Sequence, residues 1–289
     1  MGGRADSSAR RQSPDLAPVE LEHGGVDAVS QSLEVLSTVY HYNHWIFNSV
    51  RDFIGPSVLE VGAGTGNITQ FLLNCDDLVC LEPFAPYREY LSARCAKHLN
   101  VHVLPDRIEE CPNGQVPRKT FDTIVCLNVL EHIEDDVNVL RIFRELLKDG
   151  GQVVVLVPAM PMIYGEMDRA MGHYRRYTRR SLRRVLMSAS FRTIHCRYMN
   201  VVGAFGWLLH SRLRRKKVLP ESQTRFFDHM VPLLSALEAV IRPPFGQSLL
   251  MVGEASFALS GKERSPSLPG EASPAEARAK RRAKDGRGD

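Results

Sequence analysis

The 289-residue chain has no long apolar run, no paired-cysteine motif, no internal repeat and almost no charge imbalance. None of its apolar stretches approaches the ~18 residues a membrane-spanning helix needs. Its N-terminus has no apolar signal core, so secretion by a standard signal is not expected. The six cysteines, at positions 75, 80, 95, 111, 126 and 196, form no C-x-x-C pair. Cys80 and Cys126 lie inside apolar, strand-like runs. That usage predicts reduced thiols in a cytoplasm and excludes both a disulfide frame and a zinc site built on thiolates. With 37 basic and 33 acidic side chains the net charge is only +4, so nucleic acid is not the expected partner. What is present, 44% hydrophobic and 24% charged residues, suits one sizeable soluble α/β domain with tails. The tails are residues 1–25, rich in Gly, Ser, Arg and Pro, and 262–289, which ends in a basic run at Lys280–Lys284. Neither has enough apolar residues to bury, so both are expected to be disordered.

One stretch organises the rest. Val58 to Asn67 reads VLEVGAGTGN. Val58, Leu59 and Val61 suit a buried strand, and Asn67–Leu73 reads as a helix with Ile68, Phe71 and Leu72 on one face. Glycines at 62, 64 and 66 allow the backbone between them to turn tightly and approach a ligand. The spacing is G-x-G-x-G, and Asn67 stands where a dinucleotide fingerprint has its third glycine. Glu60, just before the turn, is a poor neighbour for a pyrophosphate and suits a cationic ligand. S-adenosylmethionine carries an ammonium, a sulfonium and no phosphate.

Upstream, Val26–Ile54 reads as one or two helices with an aromatic centre at Tyr40–Trp45, either packing over a sheet edge or covering the cleft. Downstream, Leu78–Glu82 is a second strand ending in a carboxylate 20 residues beyond Gly62, where it can accept from both ribose hydroxyls. Tyr87–His98 is a helix, and Val101–Leu104 is a third strand. Asp106 and Ile108 follow it, one able to accept from an adenine amino group and the other to cover the ring. Phe121–Leu127 is a fourth strand with Asn128–Ile133 leaving its C-terminal end. Asp135 or Asp136 caps a helix that Gly150–Gly151 stops, and Val153–Val157 is the fifth strand. This alternation predicts a doubly wound, mostly parallel seven-stranded sheet, with Thr193–Met199 and Leu249–Leu259 as an edge pair, one of them antiparallel.

LEVGAGTGN at 59–67, CLEP at 80–83, FDTIVCLNVLEHIED at 121–135 and GGQVVVLVPA at 150–159 resemble class I S-adenosylmethionine-dependent methyltransferases. The resemblance implies the Rossmann-like methyltransferase fold over 26–261, with an N-terminal helical lid and a substrate-side insertion at 160–190. It implies that Glu60, Gly62, Ala63, Gly64, Gly66 and Asn67 hold the methionyl part, Glu82 the ribose, and Asp106 with Ile108 the adenine. Main-chain groups near Leu127 and Asn128 would complete the methionyl side. A second block, Asp168 to Tyr177, is similar to a bacterial subgroup with a D-x-x-x-G-H-Y-R-R-Y segment, some of whose members are linked to glycosyltransferases.

Thr178 is placed to cap a helix with Leu182, Val185 and Leu186 inward, leaving Arg179, Arg180, Arg183 and Arg184 as a solvated face. Arg175 and Arg176, set between Tyr174 and Tyr177, read instead as an acceptor wall for a carboxylate, phosphate or sugar, the alternative being that Arg176 braces the loop through a carboxylate such as Asp168. His132 and His173 are the candidate catalytic bases. Some related O-methyltransferases bind a divalent metal through an E-x-x-E-H segment. Asn128 replaces the first Glu here, so no metal is expected. The expected reaction is methyl transfer to a small-molecule, glycan or lipid-linked acceptor, by a cytoplasmic monomer or homodimer. Phe205, Trp207, Leu208 and Leu209, then Leu213 with Arg214–Lys217, read as core or as a peripheral membrane contact. The rival readings are a scaffold without turnover and a nicotinamide-dependent oxidoreductase, against which Asn67 and Glu60 argue.

Overall fold

The structure, a computed structural model, describes residues 39–113, 116–208 and 221–255. The expected tails, the helical stretch 26–38, and residues 209 and 213–217 lie outside the described residues. Seven strands form one sheet: β1 (Ser57–Val61), β2 (Asp77–Leu81), β3 (Val101–Leu104), β4 (Phe121–Leu127), β5 (Leu147–Pro158), β6 (Phe191–Met199) and β7 (Ser248–Ala255). Their order is β3-β2-β1-β4-β5-β7-β6. The first five pair in parallel, and β7 runs antiparallel between β5 and β6. The fold class read from the sequence is therefore the observed one. Strand order reverses between β1 and β4, so the crevice of this sheet opens at their C-terminal ends.

Period-two burial explains the layers. Leu59, Val61, Ile124, Cys126, Val153 and Val155 face one side of the sheet. There they meet Val139, Leu140 and Phe143 of α4 (Asp136–Leu146). On the other side, Val58, Cys80 and Val125 meet Leu72 of α2 (Thr69–Leu72) and Leu91 of α3 (Ala85–Cys95). Farther along that side, Val154, Leu156 and Leu250 pack on Trp45, Ile46 and Val50 of α1 (Tyr40–Val50). The remaining helices are α5 (Glu166–Ala170), α6 (Arg179–Ser188), α7 (Val201–Leu208) and α8 (Glu221–Ile241). Among the described residues no helix is long and apolar enough to cross a membrane.

Three elements depart from expectation. The helix after the glycine turn is a single turn, because residues 64–68 are still turning when the sequence has already become helix-like. The helix of Val139 and Phe143 stops at Leu146, before the glycines. Gly150 instead sits at φ +78° inside β5, where the register against β4 jumps from Phe121–Leu147 to Thr123–Gln152. A bulge of that kind needs a left-handed residue, which only glycine adopts without strain. Trp207 is core, whereas Phe205 is exposed.

The N-termini of two helices are held by α8. The Asp228 carboxylate accepts from the amides of His41 (3.3 Å) and Tyr42 (2.8 Å) at the start of α1. Glu238 accepts from the amides of Asn200 (3.0 Å) and Val201 (2.8 Å) at the start of α7. A buried acid at a helix N-terminus satisfies orphan amides and complements the helix dipole. Phe47 of α1 stacks on Phe71 of α2, shortly after the glycine turn, at 5.2 Å.

Candidate active site

The glycine turn leaves the C-terminal end of β1 at the reversal point. Gly62, Gly64 and Gly66 have φ of +70°, +57° and +86°. A Cβ on Gly62 would lie 2.5 Å from Cγ2 of Val129, so the segment after β4 packs directly on the turn. The amides of Gly62 and Ala63 donate to the Leu81 carbonyl at 2.9 and 3.1 Å. Glu82, at the tip of β2, closes the turn from beneath: its carboxylate accepts from the Gly64 amide at 2.7 Å and the Phe84 amide at 2.9 Å. Burial pushes the Glu82 carboxyl up, and the two amides oppose that shift. Each carboxylate oxygen keeps a second lone pair with which to meet a ribose hydroxyl.

Glu60 sits differently from the expectation. Its carboxylate accepts from the Thr69 hydroxyl at 2.6 Å and the Cys80 thiol at 3.7 Å, so it is packed under the turn. Desolvation raises its pKa to about 7. The unfolded chain loses this proton near 4.5 and the folded chain only near 7, so stability falls as pH rises between those values and is flat above them. Chemical denaturation of wild type and Glu60→Gln without cofactor at pH 5 and pH 8 checks this. Wild type should lose more stability than the variant, and equal losses would remove the buried-carboxyl account.

Asp106 and Ile108 follow β3. Asp106 has one buried oxygen, Oδ2, without a hydrogen-bond partner among the described residues, and Ile108 is buried. Asn67 is half-buried, and the Thr65 hydroxyl donates to its side chain at 3.3 Å. Leu127 ends β4, and Asn128 is exposed with φ +55° at the crevice. These residues share the C-terminal edge of the sheet with Gly62 and Glu82.

The Asp168–Tyr177 block folds against the same edge, but not as one wall. Asp168, fully buried, accepts from His173 Nδ1 (3.0 Å), Arg176 Nε (2.7 Å), the Gly165 amide (2.9 Å) and Trp207 Nε1 (3.3 Å). Burial pushes the Asp168 carboxyl up, but the His173 hydrogen bond, the Arg176 charge and the Gly165 amide outweigh it and hold the pKa below the usual value. Arg176 also donates to the Ala159 carbonyl at 2.9 Å and lies over the Trp207 ring at 4.6 Å. Tyr177 is 2% exposed and donates to Asp136 at 2.8 Å.

Arg176 therefore takes the bracing alternative, on the very carboxylate expected for it, and buried Tyr177 corrects the expectation of an acceptor wall. They brace the loop because a desolvated cation and phenol each need an internal partner. Tyr174 is 55% exposed and remains accessible. Arg175 is half-buried and pairs with Asp136 at 3.0 Å and the Glu134 carbonyl at 2.7 Å. The expected cap of α6 is observed, with Thr178 accepting from the Ser181 amide at 3.1 Å, and Arg179, Arg180, Arg183 and Arg184 are exposed.

Both candidate bases are brought together. The His132 and His173 rings lie 4.7 Å apart at 81°. His173 is buried, while His132 is half-exposed beside Gly172. Burial, with His173 as second cause, lowers the His132 pKa to about 4, which makes it a weak base. Thr69, Asp136 and Trp207 were missed as partners, since nothing local in the sequence marks a long-range contact.

Comparison with known proteins agrees with this geometry. A methyltransferase domain family model matches residues 42–196, more than half of the chain. An uncharacterized methyltransferase of Anoxybacillus flavithermus is 37% identical over 114 residues, 38% of this chain and 50% of the relative. A tRNA U34 carboxymethyltransferase of Shewanella baltica is 31% identical over 120 residues, 38% of this chain and 35% of the relative. The matched stretch thus spans half or less of these curated relatives. The YcgJ protein of Bacillus subtilis has a similar structure, with TM-score 0.51 at 14% identity over 74% of this chain and 99% of that one. So does an S-adenosylmethionine-dependent methyltransferase of Mesorhizobium loti, with TM-score 0.52 at 12% identity over 76% and 99%. At such identities the likeness is one of fold. The family match, the glycine turn at the strand-order reversal and the Glu82 clamp converge: the chain belongs to the methyltransferase domain family and carries a class I, S-adenosylmethionine-dependent methyltransferase domain.

Proposed function

We propose that this protein transfers the methyl group of S-adenosylmethionine to a small-molecule, glycan or lipid-linked acceptor. In this reading Glu60 and the turn residues Gly62, Ala63, Gly64, Gly66 and Asn67 shape the methionyl side, with Leu127 and Asn128 opposite. Glu82 takes the ribose, and Asp106 and Ile108 take the adenine. An acceptor lone pair attacks the methyl carbon in line with the departing sulfur. The C–S bond pair returns to sulfur, leaving neutral S-adenosylhomocysteine, and the acceptor's proton passes to solvent or to a base. The sulfonium is already a good leaving group, so orientation and exclusion of water carry much of the rate. His132, weakly basic, then orients the acceptor more than it removes a proton.

The observation that supports the acceptor class is the set of accessible polar groups that the described residues place after β4 and in the 168–177 block. Asn128 and Tyr174 are exposed and His132 is half-exposed, and the arginine next to them is paired internally. This suits a compact polar acceptor. A second reading, an RNA acceptor, is favoured by the tRNA-modifying relative and the exposed arginine face of α6. Incubating the protein with methyl-labelled S-adenosylmethionine and cell extract, then separating RNA, lipid, glycan and small-molecule fractions, distinguishes them. Label in RNA that ribonuclease releases would overturn the proposal.

Tyr174 gives a sharper check. Tyr174→Ala should raise the acceptor's KM several-fold, while S-adenosylhomocysteine affinity and melting temperature stay within error. A loss of cofactor affinity instead would move Tyr174 to the cofactor side.

A further inference from the structure

Glu131, His132 and His173 each offer a ligand atom, and these atoms lie within 4.8 Å of one another, the one such group among the described residues. Glu131 is fully buried, yet neither of its carboxylate oxygens has a hydrogen-bond partner among the described residues. A carboxylate taken out of water with no donor is costly, and proteins relieve that cost with a proton, a partner or a metal. The nearby guanidinium of Arg176 is committed to Asp168 and the Ala159 carbonyl. His173 has its Nδ1 held by Asp168, which leaves Nε2 as the lone-pair nitrogen.

From this geometry we infer that Glu131, His132 and His173 form a binding site for a borderline divalent metal ion, with Zn²⁺ the best match to the donors. Two imidazoles and one carboxylate make a three-ligand set of the kind that leaves coordination positions open. Asp168 supplies the outer carboxylate that fixes the tautomer and orientation of a ligating histidine. Ligand atoms about 2.1 Å from one ion can be no more than about 4.2 Å apart, so binding closes the widest pair by a small side-chain rotation.

His132 is half-exposed, and Val129, three residues before it, touches Gly62. The ion would thus sit beside the turn. Its open positions suit an oxygen of the acceptor, a clause that rests on the methyl-transfer reading above. The metal site itself does not rest on that reading.

Calorimetry of the chelator-treated full chain with Zn²⁺ and Co²⁺ tests the site without any acceptor, so its outcome is independent of methyl transfer. Wild type should bind about one equivalent, and Co²⁺ should show visible d–d absorption from a mixed nitrogen and oxygen set. His132→Ala, at a half-exposed position that tolerates truncation, and Glu131→Gln should each weaken binding by roughly tenfold or more. His102→Ala, at an exposed histidine on β3, should leave it unchanged. Circular dichroism confirms that each variant is folded before titration. Absence of stoichiometric binding to wild type, or unaltered affinity in either His132→Ala or Glu131→Gln, overturns the inference.

Discussion

Asp168→Ala should lower the stability of the protein by about 3–5 kcal/mol, the cost of removing one partner from a buried ion pair. Four donors converge on this carboxylate, from His173, Arg176, Gly165 and Trp207. Its truncation strands a guanidinium whose side chain is 1% exposed and leaves an amide and an indole N–H without acceptors. For a chain of this size the loss corresponds to a fall in melting temperature of roughly 10 °C. The double variant Asp168→Ala/Arg176→Met should recover part of the loss, because the uncompensated charge is gone. Thermal unfolding of the three proteins gives the answer. A single variant that melts within about 2 °C of wild type would show that the network does not hold the 160–177 segment in place.

The second large effect is on the cofactor. Glu82→Ala should weaken S-adenosylmethionine binding by about 1.5–3 kcal/mol, the scale of hydrogen bonds to a charged group. Two contributions add. One is the proposed pair of bonds to the ribose hydroxyls, and the other is the release of the Gly64 and Phe84 amides, which the carboxylate now holds at 2.7 and 2.9 Å. Glu82→Gln separates them. An amide oxygen still accepts from Gly64, so the turn survives while the negative charge is lost. Calorimetry with S-adenosylhomocysteine should therefore rank wild type above Glu82→Gln and Glu82→Gln above Glu82→Ala. Unchanged affinity in a folded Glu82→Ala protein would defeat the ribose assignment.

Strand and helix periodicity alone identified β1 to β4 and the Thr178 cap, because those signals are local: alternate burial, turn glycines, and a hydroxyl three residues from the amide it caps. The G-x-G-x-G turn, the acid ending β2 and Asn128 leaving β4 were legible for the same reason, since a parallel sheet carries strand ends to one edge. Helix ends were less so. The single-turn α2 and the bulge at Gly150 reflect packing of turns on neighbouring strands, which overrides a helix-like composition.

What the sequence determined by itself, then, is the sheet, its crevice and the turn at the crevice, all of them products of spacing along the chain. Only the tertiary structure decided which side chains face that crevice. Arg176 and Tyr177 sit beside Tyr174 in sequence, but folding turns them inward, where Asp168 and Asp136 compensate their burial. Glu60 is turned onto Thr69, and Asp228 and Glu238 are carried from α8 to helices far along the chain. In sequence Glu131 and His132 are two residues of an interrupted motif. Only three-dimensional packing brings His173, its ring held by Asp168, within 4.8 Å of them.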